Sequence, residues 1–471
     1  MSAPFRDQAI HALQDEQLRE NFRGAMDFLQ GKRKAVFSDT IELENLRQQG
    51  HQIKAEALAN LPELLEQLDS QCSKNGIQVH WAETPEQACE IIHGIIEQNN
   101  GKLAVKGKSM VSEEIGLNHY LEARGIECLE SDMGEYIVQL AQETPSHIIM
   151  PAIHKSKSQI ATLFNATIPD TPYTENVDEL IGTGRRILRE KFQKADIGIS
   201  GVNFAVAETG TLCLVENEGN GRMCTTVPPV HIAITGIEKV IPRLSDLPPL
   251  LSLLTRSATG QLITTYFNLI SSPRKPDEKD GPEAVHLVLL DNGRSRMYQH
   301  PELRETLRCI RCGACMNHCP VYTRIGGHAY GTVYPGPIGQ VVMPQINGLD
   351  QQGEMTEGCS LNGACGEVCP VEIPLPDLIR KLREERVQPQ PAESPVNGAG
   401  SHRTRVEATA WRFWRWVYQH PELYRIVTWW ATRLGSMLPN RLGPWTRTRV
   451  KPVIARQSLH EIMRERSNQP D

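Results

Sequence analysis

Seven of the chain's 12 cysteines fall between residues 309 and 369, and their spacing limits what that stretch can fold around. The first run is Cys309-Ile-Arg-Cys312-Gly-Ala-Cys315-Met-Asn-His-Cys319-Pro320, or C-x2-C-x2-C-x3-C-P. An echo follows at Cys359-Ser-Leu-Asn-Gly-Ala-Cys365-Gly-Glu-Val-Cys369-Pro370. The first pattern is that of bacterial iron–sulfur runs, whose fourth cysteine serves the other cluster. Three thiolates at short intervals wrap one cluster from a tight, glycine-softened loop. The fourth points away, and proline ends the loop as a helix begins. The runs are therefore expected to cross over. Cys309, Cys312, Cys315 and Cys369 would hold one cluster, and Cys319, Cys359 and Cys365 the other.

Strict repetition asks for a cysteine at position 362, where the chain has Asn362, a poor ligand for iron beside thiolate. Two [4Fe-4S] clusters are expected. The second is open to being a three-iron cluster, a four-iron cluster with a non-cysteine ligand, or a labile site. Zinc also takes four closely spaced cysteines, but its motifs rarely repeat this spacing with proline. Disulfides suit seven such crowded cysteines less well still.

A chain of 471 residues suggests about three domains. A net charge of -6 argues against a nucleic-acid partner for the whole chain. The polar start, Met-Ser-Ala-Pro-Phe-Arg-Asp-Gln, lacks a secretory apolar region, and no apolar run of about 18 residues occurs. The other cysteines, Cys72, Cys89, Cys128, Cys213 and Cys224, are scattered and read as buried thiols. A reducing cytoplasm is the expected location.

Residues 1–70 read as helical, with Leu13, Leu18, Phe22, Met26 and Leu29 at helical spacing. Residues 71–295 read as an α/β domain with a mainly parallel sheet. Expected strands are Ile77–Trp81, Leu103–Val105, Ile126–Leu129, His147–Met150, Ile197–Val206, Thr211–Val215, His231–Thr235 and His286–Leu290. Pro85–Gln98 and Ser112–Ala123 read as helices between them. A polar connector spans 272–283.

In such sheets ligands sit beyond the carboxyl ends of the strands. Lys106-Gly-Lys108-Ser109 follows a strand and precedes a helix, a place that suits an anion or a solvated glycine turn. Glu208-Thr-Gly-Thr211 is a hairpin turn or a carboxylate at the sheet end. Asn217-Glu-Gly-Asn-Gly-Arg222 is a glycine-rich loop with one arginine, a weak signal for a carboxylate or phosphate. Lys106, Lys108, Glu208 and Arg222 are thus the candidate anion or substrate residues, and no catalytic residue is named.

Residues 296–387 read as a helical ferredoxin-like domain carrying both cysteine runs. Its Gly326–Gly339 stretch lets backbone pass close to a bulky object, and His328 and Tyr330 there suit packing, proton relay or tuning of potential. Arg311, beside the first run, favours a reduced cluster. Tyr-Gln-His-Pro-Glu-Leu recurs at Tyr298–Leu303 and Tyr418–Leu423, and both copies read as helix starts. Leu375–Arg386 reads as a closing amphipathic helix, and 388–402 as a flexible linker.

The tail, 403–471, reads as helical. It holds 13 Arg and Lys against 5 Asp and Glu, with six of the seven tryptophans: Trp411, Trp414, Trp416, Trp429, Trp430 and Trp445. Tryptophan and arginine interleaved at helical spacing suit a docked protein partner or a membrane surface at the inner face.

These pieces together resemble the lactate utilisation protein B family over nearly the whole chain. The resemblance rests on Cys309–Tyr322, Gly326–Gly331, Gly336–Gly339, Cys365–Val371 and Glu208-Thr-Gly-Thr211. It implies an N-terminal domain like sugar-phosphate isomerases and CoA transferases, then a two-cluster segment and a C-terminal tail. It also implies L-lactate oxidation to pyruvate within a complex of three proteins. One partner would resemble the cysteine-rich subunits of glycolate oxidase and heterodisulfide reductase, and the other would hold only the lactate-utilisation domain. Asn362 departs from a complete second run.

Two rival readings stand beside an electron-transfer subunit. One is a self-sufficient oxidoreductase binding a carboxylate in its α/β domain. The other is a cluster-bearing sensor or scaffold. No G-x-G-x-x-G follows a strand, so nicotinamide chemistry is not expected.

Overall fold

Aspartates start the chain's first long helices. Asp15 caps Glu16–Val36 by accepting from the Leu18 amide at 2.9 Å, and Asp39 caps Thr40–Ala59 by accepting from the Ile41 and Glu42 amides. Phe22, Met26 and Leu29 make one buried stripe, which packs on the cysteine-bearing segment rather than on the sheet. Phe22 meets Tyr322 edge to face at 5.5 Å. This computed structural model describes residues 4–388, 396–402, 404–437, 439–441, 446, 450, 451 and 453–468.

Ten strands follow: β1 (Gln78–Ala82), β2 (Leu103–Lys106), β3 (Glu127–Glu130), β4 (Ile197–Gly201), β5 (Phe204–Val206), β6 (Thr211–Glu216), β7 (Val230–Gly236), β8 (Val240–Ile241), β9 (Tyr266–Ile270) and β10 (Ala284–Leu290). Six make a wholly parallel sheet in the order β1-β10-β7-β4-β2-β3. Its central strands are buried throughout, as expected for a sheet covered on both faces. The others form a smaller mixed sheet, β8-β5-β6-β9. The architecture is therefore an α/β region followed by a helical cysteine-bearing region and a helical tail.

Four local readings are corrected. Ile197–Val206 is not one strand: the chain leaves the parallel sheet after Gly201 and enters the small sheet at Phe204. His147–Met150 is not a strand, because the amides of Ile149 and Met150 donate to the His147 ring at 2.9 and 3.2 Å instead of to a neighbouring strand. Ser112–Ala123 breaks into Met110–Glu114 and Leu117–Glu122 around Gly116, whose φ is +65°. Each Tyr-Gln-His-Pro-Glu-Leu copy ends one helix, Arg294–Gln299 or Arg405–Gln419; the second then starts the α-helix Pro421–Leu434, whereas the first leads only into the 3-10 turn Leu303–Arg308.

Residues 396–402 of the expected linker fold back onto the body. Leu349 N donates to Asn397 O at 2.7 Å, and Gly400 N to Glu385 O at 2.9 Å. Residues 389–395 lie outside the described residues, as does Trp445. Two helices, Arg405–Gln419 and Pro421–Leu434, carry the other tail tryptophans, all at least 41% exposed. No described helix is long and apolar enough to cross a membrane.

Candidate metal centre and adjoining cleft

Each cysteine run is built the same way, fifty residues apart. A 3-10 turn, Leu303–Arg308 or Gly353–Gly358, delivers the first cysteine. The loop then takes two left-handed residues, Arg311 and Gly313 in the first (φ +60° and +77°), Leu361 and Gly363 in the second (φ +56° and +90°). That curl turns the Arg311 amide onto Cys309 Sγ at 3.4 Å and the Leu361 amide onto Cys359 Sγ at 3.3 Å. A one-turn helix, Ala314–Asn317 or Ala364–Glu367, leads to the Cys-Pro pair. There the Tyr322 amide donates to Cys319 Sγ, and the Ile373 amide to Cys369 Sγ. Amides aimed at sulfur stabilise thiolate, the form that binds metal.

The fold brings Cys309, Cys312, Cys315 and Cys369 together, and gathers Cys319, Cys359 and Cys365 beside them. Burial pushes the Cys312 thiol up to about 12, with Cys369 and Cys309 adding to the rise. Cys365 is likewise pushed up to about 12, by burial and then by Cys359 and Cys319. Crowded, desolvated thiols of this kind give up their protons to a metal. All 12 cysteines are free, and the five scattered ones are buried.

Cations surround the first run. The Arg311 guanidinium lies over the Tyr334 ring at 4.4 Å, with Nη2 3.6 Å from Glu238. Lys239 Nζ donates to the Cys309 carbonyl at 3.4 Å, and Arg47 Nε to the Cys369 carbonyl at 3.1 Å. Lys54 Nζ donates to the Glu238 carbonyl at 2.7 Å. Burial lowers Lys54 to about 7 and Lys239 to about 8, each further depressed by neighbouring cations. Positive charge at this distance favours electrons on a bound cluster.

The four residues read from sequence as anion ligands are not brought together. Lys106 is fully buried and bound by Glu130 at 2.6 Å and Glu113 at 2.9 Å, so its charge is already matched. Glu208 sits at the β5–β6 turn, accepting from the Leu244 amide. The Arg222 guanidinium lies on the Tyr266 ring at 4.8 Å. Lys108 alone faces a cleft of about 340 Å³, which opens at the carboxyl ends of β2 and β4. Arg311, Tyr334 and Lys239 line the same cleft. Lys239 is not among the residues read from sequence; its signal there is a lysine inside the apolar run Gly236-Ile-Glu-Lys-Val-Ile241. His328 and Tyr330 have packing roles: His328 bonds the Thr144 carbonyl, and Tyr330 is buried against Phe5 and Tyr322.

Three family models match in succession. Residues 65–290 match the LUD domain, 305–373 a 4Fe-4S dicluster domain, and 381–468 the C-terminal region of lactate utilisation protein B. Lactate utilization protein B of Bacillus velezensis is 38% identical over 99% of this chain and 98% of its own. The chain belongs to the lactate utilisation protein B family. The Bacillus subtilis member is 43% identical over 83% of this chain and 82% of its own. Escherichia coli supplies a relative named as the uncharacterized electron transport protein YkgF, 42% identical over 90% of this chain and 86% of its own. The match to the 4Fe-4S dicluster model spans both repeated loops.

Proposed function

We propose that this chain is the iron–sulfur electron-transfer subunit of a multiprotein system that oxidises L-lactate to pyruvate. One observation carries the reading: two loops of identical backbone design, each with amides aimed at its cysteine sulfurs, interlock in one buried core. In this reading Cys309, Cys312, Cys315 and Cys369 hold one [4Fe-4S] cluster, and Cys319, Cys359 and Cys365 hold a second whose fourth corner faces Asn362. Such clusters accept and release single electrons with little rearrangement. The chain's own residues set the conditions: Arg311, Lys239 and Lys54 supply positive charge beside the first set, and burial excludes water. The half-exposed Cys359 and exposed Leu361 leave the second set open to a partner protein.

The partners in this reading are a cysteine-rich subunit and a protein holding only a lactate-utilisation domain. The tail docks one of them, and the complex works in the cytoplasm. Anaerobic purification with iron and sulfide assays and electron paramagnetic resonance tests the reading. About seven or eight irons per chain, reduced by L-lactate only when the partners are added, is the expected result. Zinc without sulfide, or a colourless and iron-free protein, would end it.

A further inference from the structure

The cleft between the parallel sheet and the first cysteine loop is used by nothing described so far. We propose that it binds the carboxylate of a small 2-hydroxy or 2-oxo acid through Arg311 and Lys239. The proposal rests on the electron-transfer reading above for its choice of ligand class, and on the following geometry for its place.

The floor of the cleft is the carboxyl end of β2 and β4, where the chain turns through Gly107, Lys108 and Asn203. Ligands of open parallel sheets collect at such strand ends. The roof is Arg311, between Cys309 and Cys312, together with Tyr334. A ligand here touches both the α/β region and the loop that carries the first thiols. The volume, about 340 Å³, lies in the range of small-molecule sites.

Arg311 is poised for a carboxylate. Its plane is fixed by Tyr334, its Nη2 leans toward Glu238 at 3.6 Å, and its buried Nη1 has no hydrogen-bond partner. A guanidinium held this way keeps one charged donor, Nη1, free for a carboxylate oxygen while Nη2 stays near Glu238. Leaving a charged donor unpaired in a buried site is costly, so a ligand is the missing partner. Lys239 is 5% exposed and reaches only the Cys309 carbonyl, at 3.4 Å, among the described residues. These cations could instead serve only to balance cluster charge. Lys54 fits that description, being buried behind Glu238 and away from the cleft. Arg311 and Lys239 differ from it in lining an open space.

The cleft is also lined by Asp132, Glu216 and Glu218, with Lys108 beside Glu218. The Glu216 carboxylate is held by the Gly221 and Arg222 amides at 3.0 Å, and Glu218 accepts from the Met133 amide at 3.1 Å. A ligand with a second negative charge would meet these carboxylates. A monocarboxylate that carries a hydroxyl or carbonyl pairs its one charge with Arg311 and Lys239 and brings no second charge to these acids. That charge pattern selects a small hydroxy or oxo acid over phosphate or a dicarboxylate.

Titration calorimetry on the anaerobically purified full-length chain tests this, with L-lactate, pyruvate, inorganic phosphate and uncharged lactamide as probes. L-lactate and pyruvate should bind and lactamide should not. Lys239→Gln should weaken L-lactate binding at least tenfold with iron content unchanged. Arg311→Gln should do the same, and Lys239→Gln carries the test if Arg311→Gln loses iron. Equal binding of lactamide, preferred binding of phosphate, or wild-type affinity in the iron-replete variants would overturn the site. Absence of binding together with lactate-driven cluster reduction in the presence of partners would sink the site and spare the electron-transfer reading. Binding without any lactate-driven reduction would do the opposite.

Discussion

Asn362 occupies in the second cysteine loop the backbone position that Cys312 occupies in the first. Both are flanked by left-handed residues, Arg311 and Gly313 on one side of the repeat and Leu361 and Gly363 on the other. Cys312 is 7% exposed, whereas Asn362 is exposed. The loop around Asn362 is thus already folded for a fourth thiolate. Asn362→Cys should raise iron from about seven toward about eight per chain, the content of two four-iron clusters. It should also slow iron loss to a chelator in air. Iron and sulfide assays with electron paramagnetic resonance read both effects. An unchanged count would show that another ligand fills the corner.

Cys315 belongs to the first set, and burial with the charges of Cys312, Cys309, Cys365 and Cys369 pushes its thiol well above the ordinary range. Serine offers oxygen where iron wants sulfur. Cys315→Ser should lose roughly half the iron and all lactate-dependent electron transfer, while far-ultraviolet circular dichroism stays near wild type. Wild-type turnover in the variant would count against the relay.

Arg294 holds two buried glutamates of the α/β region, and Tyr334 of the cysteine-bearing region bonds one of them. Arg294 is 1% exposed, pairs with both oxygens of Glu114 at 2.9 Å and with Glu238 at 2.6 Å, and Tyr334 donates to the same Glu114 at 2.8 Å. Arg294→Met strands two buried carboxylates. It should cost about 3–5 kcal/mol, read as a lower denaturant midpoint. Tyr334→Phe removes one hydrogen bond to a charged group and should cost about 1.5–3 kcal/mol.

The sheet was legible in sequence because its strands are short apolar runs bounded by turn residues, as at His231–Thr235 and His286–Leu290. The cysteine sets were legible because a cluster's geometry dictates loop length. What failed were readings that depend on partners distant in sequence. Lys106 looked like a free anion ligand until Glu130, twenty-four residues on, was seen to claim it. His147–Met150 has strand-like composition, but a ring nitrogen takes its amides. Arg311 was visible as a neighbour of the cluster. Its second face, toward a cleft walled by β2 and β4, exists only in three dimensions.

A row of histidines crosses the parallel sheet. His80 and His286 hydrogen-bond at 3.1 Å across β1 and β10, and His231 on β7 bonds Ser200 at 2.8 Å. Burial, then the neighbouring histidine, lowers His286 to about 4 and His231 to about 3. The folded chain therefore refuses protons that the unfolded chain accepts below about pH 6.5. Nothing is lost above that pH, and stability falls as pH drops from 6.5 toward 4. His286 alone should account for on the order of 3 kcal/mol at pH 4. His286→Gln should flatten the loss, measured as unfolding midpoints of variant and wild type across that window. Parallel curves would refute the assignment.

Among the described residues, the aromatic rings of the tail helices pair with one another and not with the body. In Arg405–Gln419 the one buried residue is Val417, while Trp411, Phe413, Trp414 and Trp416 are 62, 61, 48 and 49% exposed. Trp414 lies tilted against Tyr418 at 5.1 Å, and Tyr418 against Tyr424 of the next helix at 4.8 Å, so the two helices hold one shared aromatic face. Rigid aromatic surface flanked by arginine is the composition of protein-binding hot spots. Truncation after residue 402 should therefore leave the iron content unchanged and abolish co-purification with the partner subunits. Trp411→Ala with Trp414→Ala should weaken association at least tenfold, an effect of about 1.4 kcal/mol or more. Sedimentation with anionic lipid vesicles provides the contrast. If the intact chain pelleted with vesicles and the double variant still joined the partners normally, the tail would be a membrane-surface element and not the docking site.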